Sequence, residues 1–394
     1  MKLLITDRGH VSKFVVITLL IMGAFGVMGG GLVAPGLPTI GRAFDAPDEQ
    51  IGLILSLYTL AAAMSLPFIG YFIDAVGRRK VGITCLLIDG ITGLAIIFVP
   101  NFHTLLVLRF IQGIGIAGLI PVAMTVIGDI FTGDTRLRFM GYLSGTISLG
   151  AVIIPTIGGT LASVDWRLVF AVYGLSIFLA VVFFFTLPET RRVKKSSGVR
   201  SDSALEYAKS LVSTLKIKNI RNVMVHSFII FFLLYALVTY LPIYLFKTHG
   251  FGELFSGFAL SIQGAFGAIL ASRAEFIAGY LDWRKRASLG FLLVSLSFLF
   301  LPFWNVGSYL ITISFITYGI GMGIVSPTIY NRVTKLSPPE LSGSVIAAFN
   351  MMKYIGMTAA PIIIGLLLIF FGLNTIFITV GVVAALWALL TFFY

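Results

Sequence analysis

The sequence predicts an all-α membrane protein of twelve transmembrane helices arranged as two six-helix bundles. Three observations predict it: apolar runs recur at membrane-crossing length, basic residues collect on alternate connecting segments, and the second half repeats the first. Of 394 residues, 58% are hydrophobic and 11% charged, and the mean hydropathy is +1.01, whereas a globular domain carries about 25% charged residues. Water is therefore not the main solvent of this chain.

Taken in order, Met1–Lys13 is short and mildly basic, and the apolar segment after it reaches Ile40 without an A-x-A-like cleavage site, so it is expected to be a retained first span. Apolar runs between charge and turn clusters place the first six spans at 14–40, 51–72, 81–100, 105–128, 139–163 and 168–187. The second six fall at 222–246, 254–281, 287–304, 308–329, 342–370 and 374–394. The chain thus divides into an N-terminal bundle (1–187), a cytoplasmic linker (188–221) and a C-terminal bundle (222–394). In the linker, Ala204, Leu205, Ala208, Leu211, Val212 and Leu215 recur at helical spacing, which fits either an amphipathic helix on the inner leaflet or a solvated connection.

The net charge of +12 raises nucleic acid as a partner, and the distribution excludes it. With the N-terminus inside, Arg42, Arg167 and Lys247 are the only Lys or Arg on the outer side, and Arg109 and Lys353 lie within spans. All the others are cytoplasmic, nine of them in the linker, which is the positive-inside signature of a lipid-embedded protein. The one cysteine, Cys85, excludes an internal disulfide and a Cys-based metal site. No metal or cofactor is expected.

The internal repeat has a fixed register. Gly113 and Gly319 stand 206 residues apart, and so do Gly115/Gly321, Pro121/Pro327, Gly150/Gly356, Pro155/Pro361, Gly159/Gly365 and the basic triplets Arg78-Arg79-Lys80 and Arg284-Lys285-Arg286. Parallel six-span repeats place a substrate site at their interface near the bilayer midplane, with one half rocking against the other.

Three motifs carry a family resemblance. Gly70-Tyr71-Phe72-Ile73-Asp74-Ala75-Val76-Gly77-Arg78-Arg79-Lys80, at the cytoplasmic end of span 2, resembles the loop motif G-x-L-a-D-r-x-G-r-r of the major facilitator superfamily, with Phe72 and Ala75 departing from it. Leu108-Arg109-Phe110-Ile111-Gln112-Gly113-Ile114-Gly115 in span 4 resembles the family's R-x-x-q-G-x-g pattern. Gly141, Gly150, Pro155, Gly158 and Gly159 in span 5 resemble the signature G-x8-G-x3-G-P-x2-G-G of the drug–proton antiporter branch, with Ile154 in place of one glycine. Ala34-Pro35-Gly36-Leu37-Pro38 and Leu187-Pro188-Glu189-Thr190 are similar to further segments of that branch.

The resemblance implies a gating latch at Gly70, Asp74, Gly77, Arg78 and Arg79, with Asp74 facing the N-terminal end of span 11 and Arg78 paired with Asp129 at the end of span 4. It implies a part for Arg109 in proton transfer by way of a nearby carboxylate; the alternative is snorkelling toward the outer interface. It also implies export rather than import, through a span 5 whose small residues and proline allow close packing and a bend.

Charges within the membrane are the remaining candidates, because each is costly there and functional by default. Asp89 lies about 13 Å along span 3 from Lys80 and is the proton-coupling candidate, with a structural hydrogen bond to a neighbouring helix as its alternative. Lys353 lies in span 11 among Asn350, Met351 and Tyr354, residues expected to line the substrate cavity; its alternative is internal pairing with Asp89 or Glu275. Arg273 with Glu275 reads as a structural pair and His226 as interfacial.

The expectation is a monomeric carrier of a prokaryotic plasma or inner membrane, exchanging a small amphipathic molecule for protons. Transport of a metabolite, sugar or organic anion is the alternative on the same fold, and a membrane-embedded receptor or enzyme the alternative from another class. No H-E-x-x-H or G-x-S-x-G spacing supports the enzyme.

Overall fold

A computed structural model describes residues 3–6, 9–187, 217–306, 309–336 and 342–393. The linker's helical pattern at 204–215 lies outside the described residues. Two short strands, Leu3–Thr6 and Gly9–Ser12, form an antiparallel ribbon before the first span. Everything after it among the described residues is helix and connecting turn.

Eleven unbroken helices are long and apolar enough to cross a bilayer: Asp48–Ala75, Arg78–Phe98, Phe102–Ile130, Gly133–Val164, Trp166–Thr186, Ile220–His249, Glu253–Ser272, Trp283–Phe303, Leu310–Leu336, Val345–Leu368 and Leu373–Phe393. They are spans 2 to 12. Span 1 is not the single helix expected from its hydropathy: Lys13–Phe25 and Met28–Ala43 meet at a 48° bend. The break falls where Gly26 and three further glycines, Gly29 to Gly31, weaken the helix, and Pro35 then removes a backbone donor. Span 8 ends at Ser272 rather than continuing to 281, because the polar Arg273 and Glu275 leave it on a short exposed helix, Ala274–Ala278.

Spans 1 to 6 pack into one bundle and spans 7 to 12 into another. Two helix pairs join the bundles, span 5 with span 8 and span 2 with span 11. The repeat relates these pairs, since span 2 corresponds to span 8 and span 5 to span 11. The bonds between bundles lie in their outer halves. Ser56 donates to the Thr358 carbonyl (3.1 Å), Thr59 and Thr358 share a hydroxyl bond (2.9 Å), and Thr156 meets Ser261 (2.7 Å). Toward the basic, cytoplasmic side the inner surfaces part: Asp74 is 77% exposed and Tyr330 42%. The arrangement is inward-facing.

Candidate transport site and gates

Arg109 sits fully buried in span 4. Its guanidinium donates to the Ile54 carbonyl of span 2 (3.1 Å), the Gln112 side-chain oxygen (2.8 Å) and the Gly29 carbonyl at the break in span 1 (2.9 Å). It also stacks on the Tyr58 ring at 4.2 Å. These bonds replace the water that a charge loses in hydrocarbon, and they exclude the snorkelling alternative. Gln112 turns its amide nitrogen to Asp89 Oδ1 (3.1 Å), while Ser176 of span 6 donates to Asp89 Oδ2 (2.7 Å).

Asp89 is therefore enclosed among spans 3, 4 and 6 and does not line the space between the bundles. It makes no direct ion pair with Arg109; Gln112 bridges the two. The glycines of the R-x-x-q-G-x-g segment allow this. A side chain at Gly113 would overlap the Tyr58 carbonyl, and a Cβ at Gly115 would stand 2.8 Å from the Asp89 nitrogen. Sequence reasoning missed Tyr58 and Ser176, whose only signal was a polar group in an apolar span.

At the cytoplasmic end of span 2 the chain reverses through Gly77, whose φ of 115° is open to glycine and strained for other residues. This turn brings Arg78 back under the bundle. Arg78 is buried, bonded to Asp129 (2.9 Å), Asp74 (3.0 Å) and the Ile73 carbonyl (3.0 Å). Asp74 pairs with Arg78 and its carboxylate is largely exposed; residues 337–341, which lead into span 11, lie outside the described residues. Gly70 lies one turn before it on span 2. Arg79 leaves the latch altogether: it donates to the Phe184 carbonyl and stacks on the Phe184 ring at 4.6 Å, tying span 3 to span 6.

The span 5 motif divides by function. Gly150 and Gly158 pack on span 1, and Gly158 has the Leu32 carbonyl directly against it. Gly159 instead faces the other bundle, where Gly257 and the Glu253 carbonyl of span 8 press on it, while Pro155 turns its ring to Gly31 of span 1 and its carbonyl to Gly257. Gly141 has no atom within 4 Å of where a Cβ would stand, so it is not a packing glycine here.

The outer ends add a charged clasp. Arg42 pairs with Glu253 (3.6 Å), Thr39 donates to the same carboxylate, and Lys247 pairs with Asp48. Arg42 and Lys247 hold equivalent places in the repeat, as do Asp48 and Glu253. The two pairs are thus one interaction made twice, each crossing between bundles. Its signal lay in the isolated outer-side cations Arg42 and Lys247.

On span 11, Asn350, Lys353 and Tyr354 share one face at i, i+3 and i+4, whereas Met351 projects about 160° round the helix from Lys353. Lys353 is half-buried, its ammonium 4.8 Å from the Tyr354 ring and 5.6 Å from that of Phe231. Among the described residues it has no carboxylate within 4.0 Å, so neither Asp89 nor Glu275 is its partner. Arg273 and Glu275 are both exposed and unpaired with each other. His226 is not interfacial: it is buried, with Nδ1 2.8 Å from the Asn222 carbonyl, Nε2 3.3 Å from Thr391 and its ring against Trp387.

Comparison with known proteins bears on the whole architecture. The bacillibactin exporter of Bacillus subtilis (strain 168) is 28% identical over 349 residues, covering 85% of each chain. Multidrug resistance protein 1 of the same organism is 26% identical over 364 residues, 90% of each. The class B tetracycline resistance protein of Escherichia coli is 28% identical over 325 residues, 77% of each. In fold, the chain superposes on a bacterial homolog of the human lysosomal transporter Spinster, solved inward-facing and unoccupied, with a TM-score of 0.79 at 18% identity over 97% of each chain. It superposes on the nucleoside transporter NupG with a TM-score of 0.78 at 15% identity, over 96% of this chain and all of that one. The sequence profile of the Major Facilitator Superfamily matches residues 19–361. With two repeated six-helix bundles parted on the cytoplasmic side and joined on the outer side, this multi-pass transporter of the cell membrane belongs to the Major Facilitator Superfamily.

Proposed function

We propose that this protein is a carrier, not a catalyst, that exports small amphipathic compounds in exchange for protons by alternating access, acting as a monomer. The observation that carries the reading is the chain of bonds from Ser176 through Asp89, Gln112 and Arg109 to the Gly29 and Ile54 carbonyls. Asp89 accepts two hydrogen bonds from neutral donors, Ser176 and Gln112. A proton added to the carboxylate needs an acceptor of its own, so one of these donors has to turn away. If Gln112 turns, it also releases Arg109, whose other bonds grip the break of span 1 and the outer part of span 2. Span 2 is one of the helices that meets the second bundle, so protonation acts on the element that opens and closes.

The similarity to a bacillibactin exporter and to two resistance proteins supports export. Asp89→Asn tests the coupling, because the amide imitates the protonated carboxyl. In proteoliposomes loaded with a panel of fluorescent amphipathic dyes, the variant is expected to exchange dye across the membrane. It is expected not to accumulate dye when a pH gradient is imposed. Accumulation equal to wild type would make Asp89 structural and remove the proposed coupling.

A further inference from the structure

Among the described residues, three charged side chains lie away from the span ends: Asp89, Arg109 and Lys353. The first two satisfy one another through Gln112 inside the N-terminal bundle. Lys353 is left with two aromatic faces and no counter-charge. Aromatic quadrupoles offset only part of the hydration an ammonium loses in the membrane, so this cation keeps an unfilled capacity for an anion.

Its position says where that anion comes from. Span 11 is held on one side by span 7, through Ser227 on the Phe349 carbonyl (3.3 Å) and Gly356 against Phe228. It is held on another by span 2, through Thr358 on Ser56 and Thr59. The stripe of Asn350, Lys353 and Tyr354 lies between these two lines of contact, toward the space between the bundles. Tyr330 of span 10, tilted against Phe349 at 4.7 Å and 42% exposed, borders the same space. Tyr235 of span 7 belongs to the same bundle as Tyr354, whereas Tyr58 of span 2 belongs to the other. The Tyr58 hydroxyl is buried without a hydrogen-bond partner, although its ring is clamped by Arg109. The Tyr58 hydroxyl lies against Gly29 of span 1, so the Lys353 ammonium is the group that asks for an anion.

We propose that Lys353 selects cargo by charge, so that the cavity takes an apolar or aromatic body bearing one anionic group. The anion lies on the Lys353 ammonium and the body against Tyr354 and Phe231. This rests on the transporter reading above and narrows its substrate class. Acids do not compete for the site: those described outside Asp89 lie at span ends or in connecting segments. An organic cation therefore meets a like charge with no compensating carboxylate.

The test uses three probes with one aromatic body: naphthoate, its methyl ester and naphthylmethylammonium, titrated by calorimetry against the purified full chain in detergent. Wild type is expected to bind naphthoate about tenfold more tightly than the ester, the scale of one charge-assisted contact, and the ammonium most weakly. Lys353→Gln should bring the three within a few-fold of each other, and Lys353→Arg should keep the order, with melting temperatures confirming that both variants fold. Absence of an anion preference in wild type, including absence of binding by all three probes, overturns the proposal, as does a preference that survives Lys353→Gln. Transport is measured separately with the same probes. Anion-selective binding without pH-driven movement would count against proton-coupled export and leave the charge-selective site standing, whereas movement of the ester and ammonium alone would do the reverse.

Discussion

A guanidinium in the middle of a membrane has to find as many acceptors as it has lost waters, and Arg109 finds them on three helices at once. Two of the three are backbone carbonyls, which no side-chain pattern announces. Asp74 shows the opposite economy. Its carboxylate is 77% exposed and pairs with Arg78. An exposed pair of this kind contributes about 0–1 kcal/mol, so its loss barely alters the inward-facing state. If Asp74 closes on the start of span 11 in the outward-facing state, Asp74→Asn weakens only that state. The population then shifts inward by several-fold and transport slows while binding persists. Distance reporters on both faces, read in wild type and variant, measure this; an unchanged distribution would show that Asp74 is no latch. Arg78→Ala is a different experiment, because it removes the bonds to Asp129 and to the Ile73 carbonyl as well.

Helices meet across the two bundles through backbones that nearly touch. Gly159 of span 5 lies under the Glu253 carbonyl of span 8, and Gly365 of span 11 lies under the Glu49 carbonyl at the start of span 2. These contacts fall at corresponding ends of the two halves, slightly out of register. Within each bundle the repeat recurs in the packing of Gly113 on the Tyr58 carbonyl and of Gly319 on the Gln263 carbonyl. The contacts at Gly159 and Gly365 form only when the outer halves are closed, so a branched side chain at either obstructs closure rather than folding. Gly159→Val and Gly365→Val are each expected to favour the outward-facing state, raising the labelling rate of a cysteine placed at Thr156 or Thr358 from outside by about tenfold or more. Labelling unchanged from the unobstructed protein would mean that the bundles close by another route. The clasp of Arg42 with Glu253 and Lys247 with Asp48 is partly exposed and adds orientation more than energy.

The whole molecule is ordered by the bilayer before it is ordered by contacts. Nine basic residues against three acids in the linker predict a cytoplasmic segment. The only native cysteine, Cys85, is buried, which leaves a clean background for labelling. A cysteine introduced at Lys195 is expected to react with an impermeant maleimide in inside-out vesicles and to stay silent in intact cells; labelling from outside would invert the topology and with it the assignment of both gates.

The sequence by itself determined the twelve spans, their orientation and the twofold repeat, because hydropathy, the positive-inside bias and a constant register are properties of residues in order and need no partner. It also picked out Asp89, Arg109 and Lys353, since a charge in an apolar run is visible without coordinates. Tertiary structure decided what those charges do. The bend in span 1 offers the Gly29 carbonyl to Arg109, Gln112 stands between Arg109 and Asp89, and helix rotation turns Asp89 inward among spans 3, 4 and 6 while Lys353 is left without a counter-ion. Only packing could also reveal that Asp74 stands largely exposed beside Arg78, because a repeat with two ways to close has one sequence and two sets of contacts.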